Sequence, residues 1–279
     1  MTPNIEIKTS LTPALRLEQA LKEAGVEDAA SVRKLVISGE ITNADFRYIR
    51  ENMAETLHEV DLGKSLFFFY GAFDDFTSLI SIAVHPDNPE YASENGVLFS
   101  KDMTILIRCP QGKQGDYVVP DSVTFIRGGA FEKCAGLSSV IIPDSVIEIM
   151  DGAFYCCYGL KSVTIPQAYY GTRVFSCCTG LTSIHFSSSI TEIPEGIFPG
   201  CTSLISLDIP ETVECIGSHA FRDCTALASV FIPASVIKIK SYAFYKSPAY
   251  FTVHPDNPVY KSKNGKLTKR IALPSTLNK

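Results

Sequence analysis

From about residue 119 the apolar positions of the chain recur in a fixed frame. Phenylalanines stand at Phe131, Phe154, Phe175, Phe198, Phe221 and Phe244, separated by 23, 21, 23, 23 and 23 residues. Three residues after each of the first five comes a cysteine: Cys134, Cys157, Cys178, Cys201 and Cys224. Leu137, Leu160, Leu181, Leu204 and Leu227 follow, then Val140, Val163, Ile184, Leu207 and Val230, then Ile142, Ile165, Phe186, Ile209 and Ile232. Pro120, Pro143, Pro166, Pro210 and Pro233 mark the ends of the segments, with Ser187 in that place once. The L-x-x-V-x-I stretch alternates apolar and polar residues, which predicts a short strand with one buried face. Proline closes it because it cannot donate to the next ladder bond. Val146 and Ile149, before Ala153-Phe154, turn the chain back, with corners such as Gly128-Gly129. One such winding cannot bury its own apolar columns, so windings must stack, at about the 4.8 Å spacing of paired strands.

Outside this array two segments copy each other. Val84-His85-Pro86-Asp87-Asn88-Pro89 is matched by Val253-His254-Pro255-Asp256-Asn257-Pro258, and each leads to an Asn-Gly pair, Asn95-Gly96 and Asn264-Gly265. Asn-Gly between short apolar runs predicts a two-residue hairpin. Val97-Leu98-Phe99 and Thr104-Ile105-Leu106-Ile107 supply strands on either side of Lys101-Asp102. Near the N-terminus, Thr12-Pro13 reads as a helix start. Leu17, Ala20, Leu21 and Ala24 fall on one helical face, and Gly25 ends it. Leu35-Val36-Ile37 is strand-like, Asn43 reads as the cap of a second helix over Phe46, Ile49 and Met53, and Leu57 with Val60-Asp61-Leu62 returns to strand.

The repeated pattern, IPxSVxxIxxxAFxxCxxLxSV, resembles the BspA-type leucine-rich repeat found in many bacterial surface proteins. The likeness is close over residues 119–253 and reaches back to Gly71-Ala72-Phe73, Leu79 and Ile82, where Phe76 takes the cysteine's place. It implies an α+β repeat protein: a right-handed leucine-rich-repeat solenoid with a parallel sheet of short strands, a helical N-terminal cap and added β-hairpins. The organisation that follows is a helical cap and first coil at 1–64, a first repeat with an inserted hairpin at 65–118, the regular repeats at 119–253 and a closing segment at 254–279. The resemblance also implies a non-enzymatic adhesion or host-interaction role, with a host matrix or cell-surface protein as ligand, at the cell surface or after secretion.

Composition narrows this without redirecting it. Net charge is −5, from 25 basic and 30 acidic residues without long runs of one sign. That disfavours nucleic-acid binding and a polybasic membrane tether, both of which need concentrated cations. The densest apolar stretch, Leu66 to Phe73, is far shorter than the roughly 20 residues of a membrane-spanning helix, so no membrane insertion is expected. The opening MTPNIEIKTS lacks the pattern of an export signal. Either the protein is cytoplasmic or a leader has been removed.

Chemistry-bearing residues read mainly as structure. Five of the nine cysteines lie in one column, which predicts a ladder of buried, reduced thiols that behave as small hydrophobes. Cys156-Cys157 and Cys177-Cys178 lack zinc-knuckle spacing. His85 and His254 belong to the duplicated corner, and no nucleophile–base–acid set or phosphate loop is visible. No catalytic residue, metal or cofactor is expected. The outward strand positions are the better candidates. One column is uniformly small, at Ser81, Ser139, Ser162, Ser183, Ser206 and Ser229; its neighbour varies, at Ile141, Thr164, His185, Asp208, Phe231 and Thr252. A constant frame carrying a variable column is what a recognition surface requires. The winding after Pro166 is two residues short, and its Tyr169-Tyr170 either forms an exposed aromatic spot or packs in place of the Val146 and Ile149 equivalents. Candidate partner-binding residues are therefore Ser139, Ile141, Ser162, Thr164, Tyr169, Tyr170, Ser183, His185, Ser206, Asp208, Ser229 and Phe231. A glycan-binding module stacking sugars on Tyr169, Tyr170 and Phe231, and a cytosolic scaffold, are the alternatives.

Overall fold

The computed structural model describes residues 5–11, 16–39, 41–66 and 71–270. At the N-terminus, β1 (Ile5–Leu11), β2 (Val32–Gly39), β3 (Glu59–Asp61) and β4 (Ser81–Ala83) pair in parallel in that order. Helix α1 (Leu17–Glu23) joins the first two strands and buries Leu17, Ala20 and Leu21; Gly25 follows it at φ +76°. Helix α2 (Asn43–Met53) joins the next two and buries Phe46, Ile49 and Met53. The helices are thus the return legs of the first windings, and the expected cap is built from the same parallel unit as the rest. The Thr12-Pro13 helix start lies outside the described residues. Asn43 is the first residue of α2, not its cap. Thr42 caps it: the Thr42 hydroxyl accepts from Asp45 N, and the Asp45 carboxylate accepts from Thr42 N at 2.9 Å. This reciprocal box satisfies two orphan amides. The same carboxylate, only 2% exposed, accepts from Leu17 N at 2.9 Å and from the Arg16 guanidinium at 3.0 Å, so one aspartate organises the starts of both helices.

The first corner motif leads into β5 (Tyr91–Glu94) and β6 (Val97–Ser100), which pair antiparallel around Asn95 and Gly96 at φ +51° and +77°. β7 (Ile105–Arg108) pairs antiparallel with β6. Because successive side chains point to opposite faces, this hairpin joins two cores. Leu98 and Ile107 enter the N-terminal core, while Val97, Phe99 and Leu106 enter the core of the array. Asn88 locks the corner: its amide donates to Gly63 O and Ser65 O and accepts from Glu90 N and Tyr91 N. Asn257 repeats this with Pro233 O, Val236 O, Val259 N and Tyr260 N. Each buried amide is fully used, a structural role for the duplicated motif.

Each later winding holds a front strand and a shorter side strand. They are β8 (Gly115–Val118) with β9 (Phe125–Ile126), β10 (Leu137–Ile141) with β11 (Glu148–Ile149), and β12 (Ser162–Ile165) with β13 (Tyr169–Tyr170). Then come β14 (Ser183–Phe186) with β15 (Glu192–Ile193), β16 (Ser206–Leu207) with β17 (Cys215–Ile216), and β18 (Ser229–Ile232) with β19 (Lys238–Ile239). β20 (Tyr250–Val253) adds to β18, and β21 (Tyr260–Lys263) with β22 (Lys266–Lys269) forms a terminal hairpin. Front strands pair in parallel in register, Ser162 opposite Ser183 and Ser206 opposite Ser229.

Inside the stack the repeated phenylalanines lie ring on ring. Phe131 and Phe154 stack at 4.5 Å, Phe154 and Phe175 at 4.7 Å, and the series continues through Phe198 and Phe221 to Phe244. The cysteine column forms a second ladder. The thiols of Cys157, Cys178, Cys201 and Cys224 donate to the carbonyls of Phe131, Phe154, Phe175 and Phe198 in the preceding winding, at 3.0–3.4 Å. Ser247 takes the thiol's place in the next winding, its hydroxyl donating to Phe221 O at 2.6 Å. The column is thus defined by a donor to a buried carbonyl as well as by bulk, which is why serine can replace cysteine there.

Candidate binding face

Two left-handed corners per winding carry the chain around the stack. One lies two residues before each phenylalanine, at Gly129, Gly152, Arg173, Gly196, His219 and Tyr242, all with φ between +55° and +66°. The other lies just before the thiol column and includes Lys133, Cys156, Cys177 and Asp223, with φ between +58° and +60°. Cys156 and Cys177 are therefore corner residues, unrelated in role to Cys157 and Cys178. Among the described residues no three His, Cys, Asp or Glu side chains group as a metal site. Burial pushes the thiols of Cys109, Cys157 and Cys201 well above the ordinary range and that of Cys224 up to about 12. A thiol held protonated is a poor nucleophile and a poor metal ligand.

The outward columns fall where the alternation requires. Ser139, Ser162 and Ser183 are half-buried on the front face, and Ser206 and Ser229 are exposed. Ile141 is exposed and sits opposite exposed Val118, which extends the variable column by one winding; Thr164 sits opposite His185, and Phe231 opposite Thr252. Some serines have partners already: Ser139 donates to Asp116 at 2.6 Å, and Ser183 meets His185 Nε2 at 3.1 Å.

The shortened winding alters the side of this frame. Tyr170 aligns with Ile149 and takes its core column, while the Val146 position has no equivalent. The Tyr170 ring packs against the core, and its hydroxyl donates to Pro166 O at 2.7 Å, filling the gap; burial drives its pKa upward. Tyr169 points out and is 81% exposed. The two residues therefore divide the roles proposed for the pair. The front sheet runs through this winding, β12 pairing with both β10 and β14, and is interrupted one winding later, whereas the side sheet stops at it. On the front, the sheet ending at β14 and the sheet starting at β16 are separate, and on the side so are those ending at β13 and starting at β15.

Hollows open at both breaks. On the front, about 470 Å³ is lined by His185, Phe186, Asp208, Pro210, Glu211 and Phe231 among others. Three variable-column candidates thus surround one space, and Glu211 joins them. Only its position after the strand-closing proline could have indicated Glu211 in the sequence. On the side, about 490 Å³ opens beside Tyr169, Ile147, Gln167, Glu192 and Glu195. Ser139, Ile141, Ser162 and Thr164 lie on the unbroken part of the front sheet, away from the front hollow. A further hollow of about 580 Å³ over Arg33, His58, Gln111 and Gln114 lies at windings that the repeat pattern did not single out.

Residues 113–204 match the family described as BspA type leucine rich repeat region, in six copies. Among solved structures, the chain is similar to a leucine-rich repeat protein from Eubacterium ventriosum, at 23% identity and a TM-score of 0.67, over 89% of this chain and 72% of that one. It is similar to a leucine rich cell surface protein from Faecalibacterium prausnitzii, at 26% identity and a TM-score of 0.51, over 90% and 61%. A leucine-rich repeat protein from Bacteroides ovatus aligns at 24% identity and a TM-score of 0.50, over 77% and 57%. The chain thus spans less than two thirds of the latter two. No curated protein matches the chain. Stacked parallel windings, a phenylalanine spine and the family match together make this chain a leucine-rich-repeat solenoid whose repeats over residues 113–204 are of the BspA type.

Proposed function

We propose that the chain is a non-enzymatic binding module of a bacterial surface protein, and that its front face takes a protein partner at the break between β14 and β16. The observation that carries this reading is the meeting of His185, Asp208, Glu211 and exposed Phe231 around one hollow on an otherwise serine-lined sheet. Small serines leave the sheet open to close approach, and an aromatic beside carboxylates suits an apolar segment that carries a lysine or arginine. Surface display is carried over from the leucine rich cell surface protein that the chain resembles, and adhesion to a host matrix or cell-surface protein is the use proposed for it. Absence of catalysis is supported by the protonated thiols and by the duplicated corners, where His85 Nδ1 accepts from Asp87 N at 3.1 Å and His254 Nδ1 from Asp256 N at 3.2 Å.

Binding arrays of matrix and cell-surface proteins, probed with the parent, Phe231→Ala and Asp208→Ala, test the site. The expected result is at least a tenfold loss for one ligand in both variants, with Ile237→Ala, exposed elsewhere, unchanged. If every detected interaction survives both front-face variants, the site is wrong. An export signal encoded upstream of Met1 would favour display; secure cytoplasmic retention would turn the reading into that of a scaffold.

A further inference from the structure

The two corner motifs carry hairpins of one geometry and opposed chemistry. Ile82 N donates to Gly96 O in the first copy and Phe251 N to Gly265 O in the second, both at 2.9 Å. The turn residues match as well, Asn95 and Gly96 at φ +51° and +77°, Asn264 and Gly265 at +52° and +73°. In the first hairpin Val97, Leu98 and Phe99 are fully buried. In the second, the same strands carry Lys261, Lys263, Lys266 and Lys269, all exposed, followed by Arg270. No acidic residue occurs from Asn257 to the end of the chain, although the whole chain is net negative at −5. The Arg270 side chain is fixed by bonds to Tyr260 O at 3.1 Å and Pro255 O at 2.7 Å.

One pairing runs against the stability of the hairpin. Lys263 stands directly opposite Lys266 across the ladder, and like charges so placed repel. A two-stranded hairpin is marginal to begin with. The first copy shows that the backbone does not need these cations. A local rule broken without a compensating contact is the expected mark of a functional or strained site, and a bound polyanion would supply the missing counter-charge.

We propose that this hairpin, residues 260–270, docks a linear anionic polysaccharide bearing repeated sulfate or carboxylate groups. Alternate strand residues stand about 7 Å apart, so Lys261 and Lys263 present charge at regular intervals. The exposed hydroxyl of Thr268, directly opposite Lys261, lies on the same face as Lys261, Lys263 and Lys266 as a partner for a sugar hydroxyl. Half-buried Leu267 is no wedge for a bilayer. No residue of this hairpin lines the front hollow, so either site can fail alone.

Heparin serves as the probe for the full chain, with dextran, duplex DNA and phosphatidylserine vesicles as comparisons. Heparin should be retained and dextran not, with affinity falling about a hundredfold between 50 and 200 mM salt if about four anionic groups are neutralised. Lys263→Glu turns the repulsive pair into an attractive one. It should weaken heparin binding at least tenfold while leaving the thermal midpoint unchanged or raised, and Phe231→Ala should leave heparin binding intact. The proposal is overturned by absent heparin binding, by equal binding to DNA or vesicles, by a Lys263→Glu variant that binds normally, or by one that binds poorly only because it melts earlier.

Discussion

The windings before the short coil and those after it share one pattern but not one spacing. In the first half the corner two residues beyond each cysteine is glycine: Gly136, Gly159 and Gly180. A Cβ at Gly159 would strike Ala135 O, and one at Gly180 would strike Tyr158 O, so the windings meet backbone to backbone. In the second half Ser203, Ala226 and Ala249 occupy that corner. Ring separations follow the change: 4.5 and 4.7 Å where glycine stands, then 5.4, 5.6 and 5.4 Å. The wider spacing thus accompanies a Cβ at this corner, where the tighter windings have none. The side sheet breaks at the winding that lacks two residues and the front sheet one winding later, and a hollow opens at each break.

The largest expected effect tests what the halves share. Phe198→Ala should cost about 3–5 kcal/mol, since its ring fills the space between two windings of the wider half. Thermal melts equal to the parent would show that the phenylalanines are not the spine. Next comes the difference between the halves. Gly159→Ser should destabilise by about 1–3 kcal/mol because backbone must move to admit it, whereas Ser203→Gly should cost under about 1 kcal/mol. Equal losses in urea unfolding would remove corner size as the cause of the spacing. At the break itself, Tyr170→Phe should lose about 1 kcal/mol with its bond to Pro166 O. A neutral result would mean that ring bulk alone closes the gap.

The smallest effect concerns the side sheet beyond the break. Lys240 donates to Glu192 at 2.8 Å, and this hydrogen bond holds the Glu192 carboxyl below its usual range. A depressed carboxylate adds stability above its unfolded pKa, about 4.3, and loses it as pH falls through the lower folded value. Lys240→Met should therefore be less stable than the parent at pH 7, by under about 1 kcal/mol for so exposed a pair. The two should converge near pH 3, and a gap independent of pH would assign the loss to packing.

Much of the fold was legible because a solenoid writes its contacts into sequence spacing. Each core column repeats with the winding, so Phe131 through Phe244 and Cys134 through Cys224 announce what they touch. The Asn-Gly hairpins and the inward alternation of the front strands were legible for the same local reason. Less visible were features in which unlike residues do one job. Ser247 stands in for a cysteine as a donor, Thr42 with Asp45 outranks Asn43 as a cap, and Tyr170 plugs a gap while Tyr169 leaves it. The front column could be named from the sequence, but not the hollow that joins His185, Asp208, Glu211 and Phe231.

The sequence alone therefore determined the stack, its columns and which side chains face outward, because those depend on near-neighbour periodicity. Tertiary structure decided where the stack is interrupted, how closely the windings approach and which outward residues share a space. Such features depend on distances between windings, which spacing along the chain does not encode.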